Sequence, residues 1–127
     1  MIIMEKTVYN DGKSMFSIEE LYFIGGYITY EMAVSTCGFS GKCTFCISEY
    51  DIKDIIKSLD IMLETLSGET IINDSESNAF FRVYFQKNNS FYVSGQLGGD
   101  HCNNVLKFKF KADQTFLYNM KNTLLNY

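Results

Sequence analysis

Apolar and polar residues alternate with a period of two through most of this chain, and the period lengthens to that of a helix in two places. The cleanest alternation runs from Tyr27 to Thr36, where Ile28, Tyr30, Met32 and Val34 share one face and Thr29, Glu31 and Ser35 the other. Such a stripe predicts a strand half-buried against a core. After Cys37-Gly38, residues 39 to 47 place Phe39, Cys43, Phe45 and Ile47 on one side and Ser40, Lys42, Thr44 and Cys46 on the other, so the pair predicts a β-hairpin. Upstream, residues 2 to 9 and 15 to 24 predict an opening hairpin. Asn10-Asp11-Gly12 supplies the tight turn, and Glu19-Glu20 breaks the alternation in the manner of a β-bulge. Gly25-Gly26 ends that second strand.

The first change of period comes at Ser48, after which Ile52, Ile55, Ile56, Leu59, Met62, Leu63 and Leu66 recur at helical spacing with Lys53, Lys57, Asp60 and Glu64 between them. Ser48, with Asp51 three residues on, reads as the N-cap, and Gly68 as the left-handed C-terminal cap. Thr70-Ile71-Ile72 predicts a short strand, and the polar run Asn73 to Asn78 an exposed loop. Three further strands follow at 79–86, 91–97 and 105–111. Their inward residues are Phe81, Val83 and Phe85, then Phe91, Val93 and Leu97, then Leu106, Phe108 and Phe110. Asp113 then caps a second helix with Phe116, Leu117, Met120 and Leu124 on one stripe.

One apolar stripe per helix and one apolar face per strand predict a single α+β domain over residues 1–127. Its expected architecture is a mainly antiparallel sheet of about six to seven strands with two α-helices packed on one face. No repeat or linker interrupts the series. The uncovered face of that sheet is expected to present Thr29, Glu31, Lys42, Thr44, Arg82, Tyr84, Gln86, Tyr92, Ser94, Gln96, Lys107 and Lys109.

Composition narrows the function. Hydrophobic residues make up 46% and aromatics 16%, which calls for a packed interior. The net charge of −4 repels phosphate backbones, so direct nucleic-acid binding is not expected and a basic protein partner suits the field better. The start lacks a signal-peptide core, and no stretch approaches the roughly 20 apolar residues of a membrane span, so no membrane association and a cytoplasmic location are expected. In that compartment Cys37, Cys43, Cys46 and Cys102 are expected to be free, buried thiols.

No catalytic residue, metal site or cofactor is predicted. Cys43-Thr44-Phe45-Cys46 has half the spacing of a zinc site, with His101-Cys102 as further ligands. On a strand, however, residues three apart face opposite sides. His101 is the one imidazole, and a neighbour in sequence such as Cys102 rarely points at it, which tells against a cysteine hydrolase. The glycines form no phosphate-binding loop, and no Gly-x-Ser-x-Gly elbow occurs.

The order of several short motifs is more informative. Gly25-Gly26, Gly38-Phe39-Ser40-Gly41, Leu66-Ser67-Gly68-Glu69, Val93-Ser94-Gly95-Gln96-Leu97 and Asp113-Gln114-Thr115-Phe116-Leu117 together resemble the WapI family of bacterial immunity proteins, from about residue 21 to 125. The resemblance implies a non-enzymatic cytosolic protein that binds the C-terminal domain of a cognate polymorphic toxin delivered between competing cells. Many such toxins are nucleases with cationic clefts, toward which an acidic partner is steered. Two surfaces are candidates for the contact: the acidic loops with Asp74, Glu76 and Asp100, and the sheet face with Arg82, Tyr84 and Tyr92. A small-molecule or glycan-binding module using the tyrosine-rich face is the alternative.

Overall fold

The computed structural model describes residues 5–99 and 103–125. Among these, the chain runs twice through one plan, four antiparallel strands followed by a helix. The first half comprises β1 (Glu5–Asn10), β2 (Ser14–Ile24), β3 (Tyr27–Thr36), β4 (Phe39–Ser48) and α1 (Glu49–Thr65). The second comprises β5 (Glu69–Asn73), β6 (Phe80–Phe85), β7 (Phe91–Gly98), β8 (Val105–Ala112) and α2 (Gln114–Leu125). Each set of four strands is its own sheet, in the orders β1-β2-β3-β4 and β5-β6-β7-β8.

The α+β class and the two helices stand, but the strands form two sheets of four instead of one sheet of six or seven. Alternation tells a strand which side is buried. It does not tell the strand after a helix whether to rejoin the previous sheet, and here α1 carries the chain away from β4 to begin a second one. The duplicated plan escaped the sequence reading because the halves share a pattern of periods and not a run of residues.

The inner faces of the two sheets and the apolar stripes of both helices meet in one core. Phe16 from β2 packs on Phe81 from β6 with ring centroids 5.1 Å apart and on Phe116 from α2 at 5.2 Å, and Phe45 from β4 reaches Phe81 at 5.8 Å. All four rings are fully buried. The helices pack on each other and against β1, β4 and β5. Lys121 is salt-bridged to Asp60 across the helix pair, and Asn119 Nδ2 donates to the Val8 carbonyl at 2.9 Å, tying α2 to β1.

Local signals account for most boundaries. Ser48 Oγ accepts from the Asp51 amide at 3.1 Å, and Asp113 Oδ1 accepts from the Thr115 amide at 2.9 Å, so both helices begin at the expected caps. The bulge falls where Glu19-Glu20 disturb the alternation, as a register shift between Glu20 and Tyr22. Helix α1 ends differently from expectation. Leu66, not Gly68, takes the left-handed cap conformation, with φ 51° and its amide donating to the Met62 carbonyl at 2.8 Å. Phe39, expected inward, is exposed because β4 overhangs the core at its first residues.

Gly95 shows why one of the recurring motifs carries a glycine. It lies in β7 opposite Phe81, and a Cβ placed there would stand 2.3 Å from the Phe80 carbonyl oxygen and 2.7 Å from the Phe81 Cα. Both obstacles are backbone, so β6 itself would have to move. Gly95→Ala is expected to lower stability by about 1–3 kcal/mol, the usual range for overpacking, as measured by urea denaturation.

The first turn carries an electrostatic signature. Asp11 Oδ1 accepts from the backbone amides of Ser14 at 2.8 Å and Lys13 at 2.9 Å, and these bonds hold its carboxyl below the ordinary aspartate range. Tyr9 is pushed up to about 12, chiefly by burial and then by the Asp11 carboxylate, to which its hydroxyl donates at 3.2 Å. A carboxyl depressed on folding contributes stability above its unfolded value near 3.9 and loses it as pH falls through the folded value. A raised phenol contributes below its unfolded value near 10 and loses it as pH climbs toward about 12. Denaturation midpoints of wild type should therefore fall at both extremes, and Asp11→Asn should flatten the acid limb.

Candidate partner-binding surfaces

The residues singled out from the sequence lie on two separated surfaces. The first is the outer face of the second sheet, where register places Tyr84 beside Tyr92, and Arg82 beside Ser94 and then Lys109. The two tyrosine rings stack with centroids 5.8 Å apart and planes inclined by 24°. The Arg82 guanidinium lies 3.9 Å from the Tyr84 ring centre, and the Lys109 ammonium 4.8 Å from that of Tyr92. Arg82 also forms a salt bridge to Glu69. On β8, Lys107, Lys109 and Lys111 all point out while Phe108 and Phe110 point in. Among the described residues this face sets four cations, Arg82 and the three lysines, against the carboxylate of Glu69, which makes it locally basic on an acidic protein.

The second surface forms where the loop after β5 crosses the edge of the first sheet. Asp74 organises that loop. Its Oδ1 accepts from the Cys46 amide of β4 at 2.9 Å and from the Glu76 amide at 3.2 Å, and its Oδ2 accepts from the Ser77 hydroxyl. The Ser75 amide donates to the Cys46 carbonyl at 3.0 Å, so the loop is laced to β4 from both sides of Cys46. Asp74 therefore spends its oxygens inside the protein, whereas Glu76 stays exposed. Asp100, His101 and Cys102 lie outside the described residues.

That crossing encloses a hollow of about 510 Å³. Thr29, Thr44 and Cys46 form its floor on the outer face of the first sheet, with Tyr22, Ile24 and Tyr27 from the β2–β3 hairpin on one side and Ser75 and Glu76 on the other. The hairpin turns at Gly25-Gly26, whose φ angles of 61° and 82° suit the two-residue turn matching the twist of its strands. The residues flanking this turn are apolar and open to solvent: Tyr22 is 53% exposed, Ile24 68% and Tyr27 46%. Glu49, at the start of α1, donates its amide to the Gly26 carbonyl at 2.9 Å and brings a second carboxylate beside the turn. A separate groove of about 400 Å³ between α1 and the edge strand β5 is lined by Asp51, Asp54 and Glu69.

The sequence reading found Glu76 but missed Tyr22, Ile24 and Tyr27. The available signal was a hairpin turn flanked by Ile24 and Tyr27, where polar residues are usual. The cysteines also depart from expectation. Buried thiols were expected, but Cys37 is exposed and Cys43 and Cys46 are half-buried. Cys43 leans on the core while Cys46 floors the hollow on the opposite face, so the two cannot share a metal.

The family model for "Immunity protein WapI-like family" matches residues 14–126. The chain belongs to the WapI-like immunity protein family. That match extends the resemblance by several residues into β2, which the short motifs alone did not reach. Among solved structures, WHY1 from Arabidopsis thaliana is similar over 98% of this chain and 82% of its own, with a TM-score of 0.59 and 7% identity, which is a likeness of fold. A chain from the MRP1/MRP2 structures of Trypanosoma brucei aligns over 98% of this chain and 84% of its own, with a TM-score of 0.49 and 10% identity. No curated protein matches the chain. No helix among the described residues is long and apolar enough to cross a membrane.

The geometry separates a structural from a surface role for the two loop carboxylates. Asp74→Ala leaves the Cys46 and Glu76 amides without their acceptor and is expected to cost about 1–3 kcal/mol in thermal or urea unfolding. Glu76→Ala, at an exposed side chain, should stay within about 0.5 kcal/mol of wild type.

Proposed function

We propose that this protein is the cytoplasmic immunity partner of a polymorphic toxin, binding the toxin's C-terminal domain and holding it inactive, and that this domain is a nuclease with a cationic substrate cleft. The observation that carries the reading is the family match across residues 14–126, nearly the whole chain. The charge distribution agrees with it. An overall charge of −4 speeds encounter with a basic partner, and the carboxylates Glu49, Glu76, Asp51 and Asp54 gather around the start of α1 and the loop after β5.

Of the two surfaces, the side carrying Asp74 and Glu76 fits a cationic partner better than the side carrying Arg82, Tyr84 and Tyr92. Four cations on the second sheet would repel such a cleft. The tyrosine face also serves poorly for a sugar or other flat ligand. Tyr84 is buried, the rings stack on one another, and Arg82 and Lys109 lie over them. A platform for a ligand needs open ring faces, and these are occupied.

The function acts by occupation of a surface and needs no reacting group in this chain. Co-expression with the toxin domain encoded immediately upstream should restore growth and give a complex that co-elutes on size exclusion. Its association rate should fall as salt rises from about 50 to 500 mM, because screening shortens the reach of the attraction. Toxicity unchanged by this protein, with no co-eluting species, would refute the reading.

A further inference from the structure

The hollow between the β2–β3 hairpin and the loop after β5 combines three features. One wall is aromatic and aliphatic, the facing wall carries a carboxylate, and no lysine or arginine lines it. The basic sheet face has tyrosines but covers them with its own cations. The groove beside α1 has carboxylates but no aromatic ring. A second pocket at the β3–β4 turn has Phe39 but is lined by Lys107 and Lys109.

We infer that this hollow receives a lysine or arginine side chain from a cationic segment of the partner protein, and that Tyr22, Tyr27 and Glu76 are its principal contacts. The inference rests on the immunity reading and names the part of the surface that does the binding. The chemistry is complementary on each count. A cation is attracted to the face of a tyrosine ring and gains more as water is displaced from the contact. Glu76 supplies the opposite charge from the facing wall, and the hydroxyls of Thr29 and Thr44 on the floor offer acceptors to remaining N–H groups. The methylene stem of the incoming residue would lie along Ile24, which is now open to water.

The fold keeps the hollow open without help from a partner. Its two walls come from different halves of the chain, and the Cys46–Asp74 and Cys46–Ser75 hydrogen bonds fix their separation. Binding there requires little ordering of this protein, so the contact energy is not spent on closing a loop.

The test uses the full chain and the purified C-terminal toxin domain from the adjacent reading frame, inactivated by substitution, with kinetics read by biolayer interferometry. The Tyr22→Ala/Tyr27→Ala double variant should raise Kd about thirty-fold or more, as removal of paired aromatic anchors does. Glu76→Lys should slow association about ten-fold, and changing the facing lysine or arginine of the toxin to Glu should restore it. Lys111→Ala, on the basic face, should bind as wild type does. Circular dichroism and thermal midpoints near wild type establish that the variants fold, as expected for side chains about half exposed. Wild-type binding together with undiminished binding by both hollow variants overturns this inference and leaves the immunity reading intact. Absence of any complex with the wild-type chain overturns the immunity reading itself.

Discussion

Everything in this molecule depends on the contact between the inner faces of two small sheets. A sheet with one apolar face must bury it against another layer, and here each sheet does so against the other and against the helices. Phe16, Phe45, Phe81 and Phe116 join these layers, because they come from β2, β4, β6 and α2 and form a run of ring contacts, Phe45 to Phe81 at 5.8 Å, Phe81 to Phe16 at 5.1 Å and Phe16 to Phe116 at 5.2 Å. Phe81 is central, since it touches rings of both β2 and β4 from the opposite sheet.

Packing the sheets inner face to inner face leaves two outer faces, and this has functional consequences. The outer face of the second sheet is lined by Arg82 and the lysines of β8. The edge of the first sheet is bordered by Glu76 and the carboxylates around the start of α1. An acidic protein thereby acquires a basic side. The net charge steers a cationic partner at long range, and the local arrangement decides which side it meets. The hydrogen bonds of Asp74 to β4 join the halves a second time, at the surface, and it is this join that creates a concavity from two otherwise convex elements.

Much of the fold was legible because alternation and helical periodicity are local consequences of burial. Ser48 and Asp113 cap their helices as read, the β2–β3–β4 meander has the expected bounds, and the inward residues of β6, β7 and β8 largely face the core. The WapI resemblance, carried by short motifs, is matched by the family model, and Gly95 has a physical reason to be there. The reading departed from the structure at a helix end set locally and at a strand end set by tertiary packing. Leu66 takes the left-handed cap in place of Gly68, and Phe39 is exposed because its strand outruns the core.

The chain by itself determined which segments become strands and helices, which face of each is buried, and the sign of the whole molecule's charge. These follow from side-chain type and spacing over ten or so residues. Tertiary structure alone decided that the strands divide into two sheets and that Glu76 faces Tyr22 and Tyr27 across a hollow. It also decided that Asp74 is consumed in building that hollow. Such outcomes hinge on which surfaces come together across fifty residues of intervening chain, and a pattern of alternation is the same whichever neighbour a strand finds.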